Sequence, residues 1–285
     1  MGAPLKDELQ RIIAASAATQ VGVAAHRLST GDEILIGADL PFYAASTVKV
    51  CIMMEVFHQA RQGILSLDEP LQVINVFPSL ADGSLYSLDP ADDSEKALYD
   101  AVGGSFPIRE LVSRMITLSS NLATNLLVSR VSARRTTDFM RALGAPDLHI
   151  LRGVEDKAAY RLGLNNSATA RGFLQILTTL AKREVVSPED SDEMISILAR
   201  QQLNEMIPAQ LPSGTRIAHK TGWVADHFHD VGIVYPEGSQ AFSLAILARG
   251  CAEINDDRAH ALVPSLAQTI YDAWCQTFPL LDSVH

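Results

Sequence analysis

The chain has 285 residues, of which 47% are hydrophobic and 20% charged, and its formal net charge is −10. Such a balance suits a globular protein that buries a sizeable core, as one large domain or two intertwined ones. No basic stripe is present, which argues against nucleic acid as a partner, and an anionic substrate would need a local positive spot to draw it in against the overall field.

The opening Met1-Gly2-Ala3-Pro4-Leu5-Lys6-Asp7-Glu8 has no basic segment followed by a long apolar run, so no signal peptide is visible. The expected compartment is the cytoplasm as written, or the periplasm or exterior if a signal has been removed. No apolar stretch reaches membrane-spanning length, and no membrane partner is expected. Leu5, Leu9, Ile12 and Ile13 fall at helical spacing and predict an amphipathic helix over 4–18. Two short strands follow at 20–28 and 33–37, separated by the turn residues Ser29-Thr30-Gly31-Asp32. From 46 to 62 the helical period returns, with Val48, Ile52, Val56, Phe57 and Ala60 on one face and Gly63 suited to the C-terminal end.

Residues 78–106 are rich in Asp, Ser, Pro and Gly and read as irregular connection. Helices are expected at 107–117, 120–130 and 133–143, a loop over 144–168, then helices at 169–182 and 188–202. Beyond Pro212-Ser213-Gly214 the period becomes strand-like at 216–221, 229–235 and 241–248, with Pro236-Glu237-Gly238-Ser239 turning the last pair. A helix at 255–276 closes the chain. Cys51, Cys251 and Cys275 show no CxxC spacing and read as buried free thiols.

Strands thus stand at both ends and helices fill the middle. The fold class that follows is α/β (α+β): one antiparallel sheet flanked by the terminal helices, plus an all-α lobe. The expected division is 1–45 and 208–285 for the α/β lobe and 46–207 for the all-α lobe, with a cleft between them.

Three short signals carry chemistry. Ser46-Thr47-Val48-Lys49 opens a helix, and its i, i+3 spacing puts Lys49 one turn above Ser46. A hydroxyl becomes a good nucleophile when a neighbouring base takes its proton, and a desolvated lysine can be that base. Ser119-Ser120-Asn121 sits between two helices, where a hydroxyl could pass a proton and an amide could orient a substrate. Lys220-Thr221-Gly222 ends a strand; the ammonium and hydroxyl form an anion-binding pair, Gly222 allows close approach, and the N–H of Trp223 could serve an oxyanion. Taken singly, each also reads as a helix cap, a surface lysine or a strand end.

Together, in this order, the three motifs resemble those of the class A β-lactamases and penicillin-binding proteins, and the likeness extends over nearly the whole chain. Their neighbours look familiar too: Phe42-Tyr43-Ala44-Ala45 before Ser46, Met115-Ile116-Thr117-Leu118 before Ser119, and Asn125-Leu126-Leu127 after it. The resemblance implies a β-lactamase/transpeptidase-like fold with the active site between the lobes. It implies Ser46, Lys49, Ser119 and Glu155 as catalytic residues, and Asn121, Lys220, Thr221, Gly222 and Trp223 as substrate-binding ones. Glu155 is placed by its spacing, 36 residues after Ser119. The implied reaction is hydrolysis of a β-lactam amide through an acyl-enzyme. Two alternatives are a D-Ala-D-Ala peptidase or esterase, and a penicillin-binding sensor that acylates without turnover. The expected partner is a small β-lactam or peptide-like molecule, the expected state a monomer, and no metal or organic cofactor is implied.

Departures from the family pattern are visible. Ser120 stands where the second motif has Asp. The asparagine that usually follows the glutamate and helps hold the water is absent; Ala159 stands near its place, and Asn165 or Asn166 could substitute. The usual arginine after Lys-Thr-Gly is missing from Asp226-His227-Phe228-His229-Asp230. His227 and His229 would share one face of a strand, as two metal ligands need, but no third ligand is implied. His219 is the expected polar neighbour of the site.

Overall fold

The computed structural model describes residues 2–250 and 257–275. Helix α1 (Gly2–Ala15) leads into strands β1 (Gln20–Arg27), β2 (Glu33–Ile36) and β3 (Phe42–Tyr43). A 3-10 turn at Ala45–Thr47 runs straight into α2 (Val48–Arg61). Short strands β4 (Pro70–Gln72) and β5 (Phe77–Pro78) follow, and the segment 78–106, expected to be irregular, holds only short pieces, β6 (Leu85–Tyr86), β7 (Ser105–Pro107) and 3-10 turns at Pro90–Asp92 and Tyr99–Ala101. Then come α3 (Ile108–Thr117), α4 (Asn121–Val131), α5 (Ala133–Ala142), α6 (Lys157–Arg161), β8 (Ser167–Ala168), α7 (Ala170–Ala181) and α8 (Pro188–Leu198). Strands β9 (Arg216–Val224), β10 (His227–Tyr235) and β11 (Phe242–Arg249) and helix α9 (Asp257–Cys275) complete the chain.

Five strands form one antiparallel sheet in the order β2-β1-β11-β10-β9, joining both chain ends. Side chains alternate between its faces with period two. Phe228, Val234, Leu244 and Ile246 pack outward with Leu9 of α1 and Leu262, Leu266 and Ile270 of α9. Val231, Ile233, Ala245 and Leu247 face inward and join a larger core with Phe173 and Leu177 of α7 and the helical lobe. The same alternation puts Lys220 and Gly222 on the inner side of β9 and His219 on the outer.

Helix α2 departs from the amphipathic reading: eleven of its 14 residues are buried, Lys49, Glu55 and Gln59 among them. A helix covered on all sides is the centre of a bundle. Three further expectations shift. The 188–202 helix stops at Leu198, because Gln201 turns its amide to Ile116 O at 3.0 Å and the Gln202 N–H bonds Thr117 O at 3.1 Å. The last hairpins are longer than the polar Asp226-His227-Phe228 suggested, since a two-residue turn with Ala225 at φ 48° joins β9 to β10 directly. Of the cysteines, Cys51 is buried, Cys275 is only half-buried, and Cys251 lies outside the described residues.

Candidate active site

A cleft of about 450 Å³ opens beside the edge strand β9. Ser46, Ser119, Asn121, Glu155, Thr221 and Trp223 all line it. Lys49 and Lys220 lie directly beneath, both fully buried. Residues spread over 178 positions of sequence therefore meet at one place.

Ser46 sits in the 3-10 turn that precedes α2. Ala45 before it is held at φ 46°, a left-handed conformation that costs a β-carbon-bearing residue about 1–3 kcal/mol. Ser119 (φ 57°) and Glu155 (φ 60°) share this trait. Three strained positions bordering one cleft mean that the surrounding structure dictates the backbone there. The inner face of β9 presses against the Ser46 turn, and the absent side chain of Gly222 makes room for it: a β-carbon would come within 3.1 Å of Thr47 N and 3.2 Å of Ser46 N. As an edge strand, β9 also leaves one row of backbone groups without a strand partner, facing the cleft side.

Lys49 donates from Nζ to Ser119 O (2.6 Å), Ser119 Oγ (3.1 Å) and Asn121 Oδ1 (2.9 Å). Burial pulls its pKa down to about 7, with Asp93 and then Glu155 opposing. Lys220 donates to the same Ser119 Oγ at 3.0 Å and to Thr221 O at 2.8 Å. Burial, and then the Lys49 charge, hold Lys220 well below an ordinary lysine, while Asp230 acts the other way. One hydroxyl therefore bridges two buried amines. Ser120 is the ordinary cap of the pair, its Oγ accepting from Ala123 N at 3.3 Å.

Glu155 is fixed by its neighbours. Val154 is clamped by Asn125, whose Oδ1 accepts from Val154 N at 2.7 Å and whose Nδ2 donates to Val154 O at 3.1 Å. Asp156 points away, accepting from Ser79 Oγ and Leu80 N, both at 2.8 Å. Glu155 is left half-buried at the cleft, and burial raises its pKa above the usual carboxylate range against the pull of Lys157. Of the two asparagines that could have partnered it, Asn166 has both ends of its amide taken up by the loop. Asn166 Oδ1 accepts from Leu151 N (2.8 Å) and Arg152 N (3.1 Å), and its Nδ2 donates to Arg152 O (3.0 Å). Asn165 Oδ1 takes the Arg152 guanidinium at 2.8 Å. Both amide oxygens therefore brace the loop.

The histidines resolve differently from one another. His227 and His229 do share a strand face, with ring centroids 5.5 Å apart. His229 Nε2 donates to Tyr43 O at 2.9 Å while its Nδ1 accepts from Ala248 N at 3.2 Å, so both ring nitrogens serve the backbone. Burial holds it neutral, with its pKa down at about 4 against the opposing pull of the Tyr43 carbonyl. No cluster of three or more metal-ligating side chains occurs among the described residues. His219, expected beside the site, faces the outer side of β9 and contacts Asp230 (3.0 Å) and Asn204 (3.0 Å).

The profile of the Beta-lactamase enzyme family matches residues 4–274. Over 280 residues the chain is 23% identical to the extended-spectrum beta-lactamase PER-1 of Pseudomonas aeruginosa, covering 94% of this chain and 86% of that protein. Among solved structures, PBP-A superposes with a TM-score of 0.81 at 24% identity, covering 96% of this chain and 97% of PBP-A. A variant of PBP-A has been solved as an acyl-enzyme complex with penicillin G. The TLA-1 extended-spectrum beta-lactamase superposes with a TM-score of 0.83 at 19% identity, covering 96% and 99% of the two chains.

Proposed function

We propose that this chain, which belongs to the Beta-lactamase enzyme family, hydrolyses the β-lactam amide through an acyl-enzyme on Ser46. The observation that carries the reading is the double contact of Ser119 Oγ with Lys49 and Lys220 in the cleft that Ser46 lines.

In this reading Ser46 Oγ attacks the lactam carbonyl. Its proton passes to Lys49, whose pKa of about 7 leaves a substantial free-amine fraction at neutral pH, or through water to Glu155. Developing negative charge on the carbonyl oxygen is met by the N–H groups of Ser46 and Trp223, a role supported by the close seating of Gly222, the neighbour of Trp223, on the Ser46 turn. Ser119, relayed to both amines, returns a proton to the departing nitrogen. Thr221, with Lys220 beneath it, receives the substrate carboxylate, and Asn121 orients the amide. Water activated by Glu155 then releases the acyl group. Burial, which raises the Glu155 pKa, makes this carboxylate a stronger base than an exposed one.

A second reading has specific support. With the whole Asn166 amide and the Asn165 oxygen committed to the loop, Glu155 is left at most the Asn165 Nδ2 to help hold its water. A site of that kind acylates well and clears slowly, as a D-Ala-D-Ala peptidase or penicillin-binding sensor would on lactams. Hydrolysis of a chromogenic cephalosporin by the purified protein, beside Ser46→Ala, tests the proposal. Sustained turnover that Ser46→Ala abolishes is expected. Turnover surviving that substitution would remove Ser46 as the nucleophile, and a single stoichiometric burst would favour the second reading.

A further inference from the structure

The first four N–H groups of a helix have no acceptor within it. At α4 the Thr124 N–H bonds Ser120 O at 3.2 Å and the Ala123 N–H bonds Ser120 Oγ at 3.3 Å. The remaining two, on Asn121 and Leu122, both donate to Asp93 Oδ2, at 2.9 and 3.0 Å. Asp93 belongs to neither flanking helix. It arrives on the segment before α3, where Asp89 caps the short turn Pro90–Asp92. Tyr99 donates its hydroxyl to the same Oδ2 at 2.8 Å, and Glu95 N donates to Oδ1 at 3.1 Å. Asp93 is only 5% exposed, and four donors surround it, as a buried carboxylate requires. Asn121, held through its backbone in this way, passes its own Oδ1 to Lys49 Nζ at 2.9 Å. Ser120, between Ser119 and Asn121, contributes only a neutral hydroxyl.

We propose that Asp93 is a positioning residue of the Ser46 site: it fixes Asn121 against Lys49 and supplies, from outside α4, the negative charge that the Ser119-Ser120-Asn121 segment lacks. The proposal rests on the Ser46–Lys49 reading above. The charged groups facing Lys49 are Asp93 from this segment, Glu155 from the loop after α5, and Lys220 from β9. The two carboxylates favour the Lys49 ammonium; burial and the neighbouring amine oppose it. Neutralising Asp93 therefore lets Lys49 lose its proton at lower pH. Mere loosening of the loop would expose Lys49 to water and move its titration the other way, toward that of an ordinary lysine.

The test titrates the lysine side chains by carbon-13 NMR in the resting protein, with Lys49 assigned through Lys49→Arg. Parent, Asp93→Asn and Asp93→Glu are compared, each checked by thermal unfolding. Asp93→Asn should lower the Lys49 midpoint by about half a pH unit or more, and Asp93→Glu should keep it near the parent. The rising limb of the rate of Ser46 acylation by a fluorescent penicillin should move to lower pH in the same variant. If Asp93→Asn fails to fold, Asp93→Ser carries the same expectation. A Lys49 midpoint that stays put or rises when the charge is removed, or falls equally when it is kept, overturns the proposal. A parent that is never acylated contradicts the functional reading instead, while the titration still decides the role of Asp93.

Discussion

A β-carbon on Gly222 would stand 3.2 Å from the backbone nitrogen of Ser46. The edge strand and the turn that starts α2 therefore touch backbone to backbone, and any side chain at 222 must push them apart. Gly222→Ala should leave the fold in place, since the sheet is held by β10 on the other edge of β9. It should cost about 10²-fold in kcat/KM, because a shift of a few tenths of an ångström misaligns the groups around the reacting carbonyl. Steady-state kinetics beside a thermal melt checks this; an unchanged kcat/KM would mean that strand and turn do not act on the substrate together.

Lys49 carries an opposition between stability and activity. Its pKa falls from 10.5 to about 7 on burial, so the native state binds the proton less readily than the unfolded chain. For a lysine lowered in this way the cost to folding is complete below about pH 7 and fades as pH rises toward 10.5. Lys49→Met should therefore unfold at higher urea than the parent at pH below 7, with the advantage shrinking as pH is raised, while acylation of Ser46 is lost. Urea titrations across pH check the sign. A Met variant less stable than the parent under acid conditions would mean that the three hydrogen bonds of Lys49 outweigh its desolvation.

Charge at the mouth of the cleft sets a preference among substrates. The charged residues lining it, among those described, are Asp92, Glu155 and Glu205, all acidic, and the two lysines lie under the surface. With a net charge of −10 behind them, a dianionic penicillin should be disfavoured against a zwitterionic one of similar size. High ionic strength should narrow the gap by screening the exposed acids. Ratios of kcat/KM for the two substrates at low and high salt measure it, and a ratio indifferent to salt would contradict it.

Much of the fold is legible in the sequence because long periodic segments dominate it. The Leu5-Leu9-Ile12 spacing marks α1 and the short apolar run over 242–248 marks β11, and tertiary packing agrees with both. Elements that depend on a distant partner are not legible. Strands β3 and β8 have two residues each and exist only because Phe42 pairs with Ala168 and Tyr43 with Ser167. At the site, Ser46, Lys49, Ser119 and Lys220 stand out by motif. Asp93 does not, because its role depends on a loop folding back onto α4, and nothing in the local run Asp89-Pro90-Ala91-Asp92-Asp93 says which carboxylate turns inward. The expectation that Asn166 would serve Glu155 fails for a related reason: spacing puts it nearby, but the backbone of the same loop claims its amide first, while the Asn165 oxygen goes to the Arg152 guanidinium.

Clearance of the acyl group from Ser46 tests the central claim most directly. Glu155→Gln keeps the shape of the side chain but cannot accept a proton at neutral pH. Parent and variant would be mixed briefly with a penicillin, the excess removed, and the intact protein mass followed in time. The parent should return to its free mass, while Glu155→Gln should retain an adduct of one penicillin on Ser46 and clear it about 10²–10⁴-fold more slowly. Equal clearance by the two proteins, or a parent that holds the adduct indefinitely, would contradict hydrolysis through Glu155.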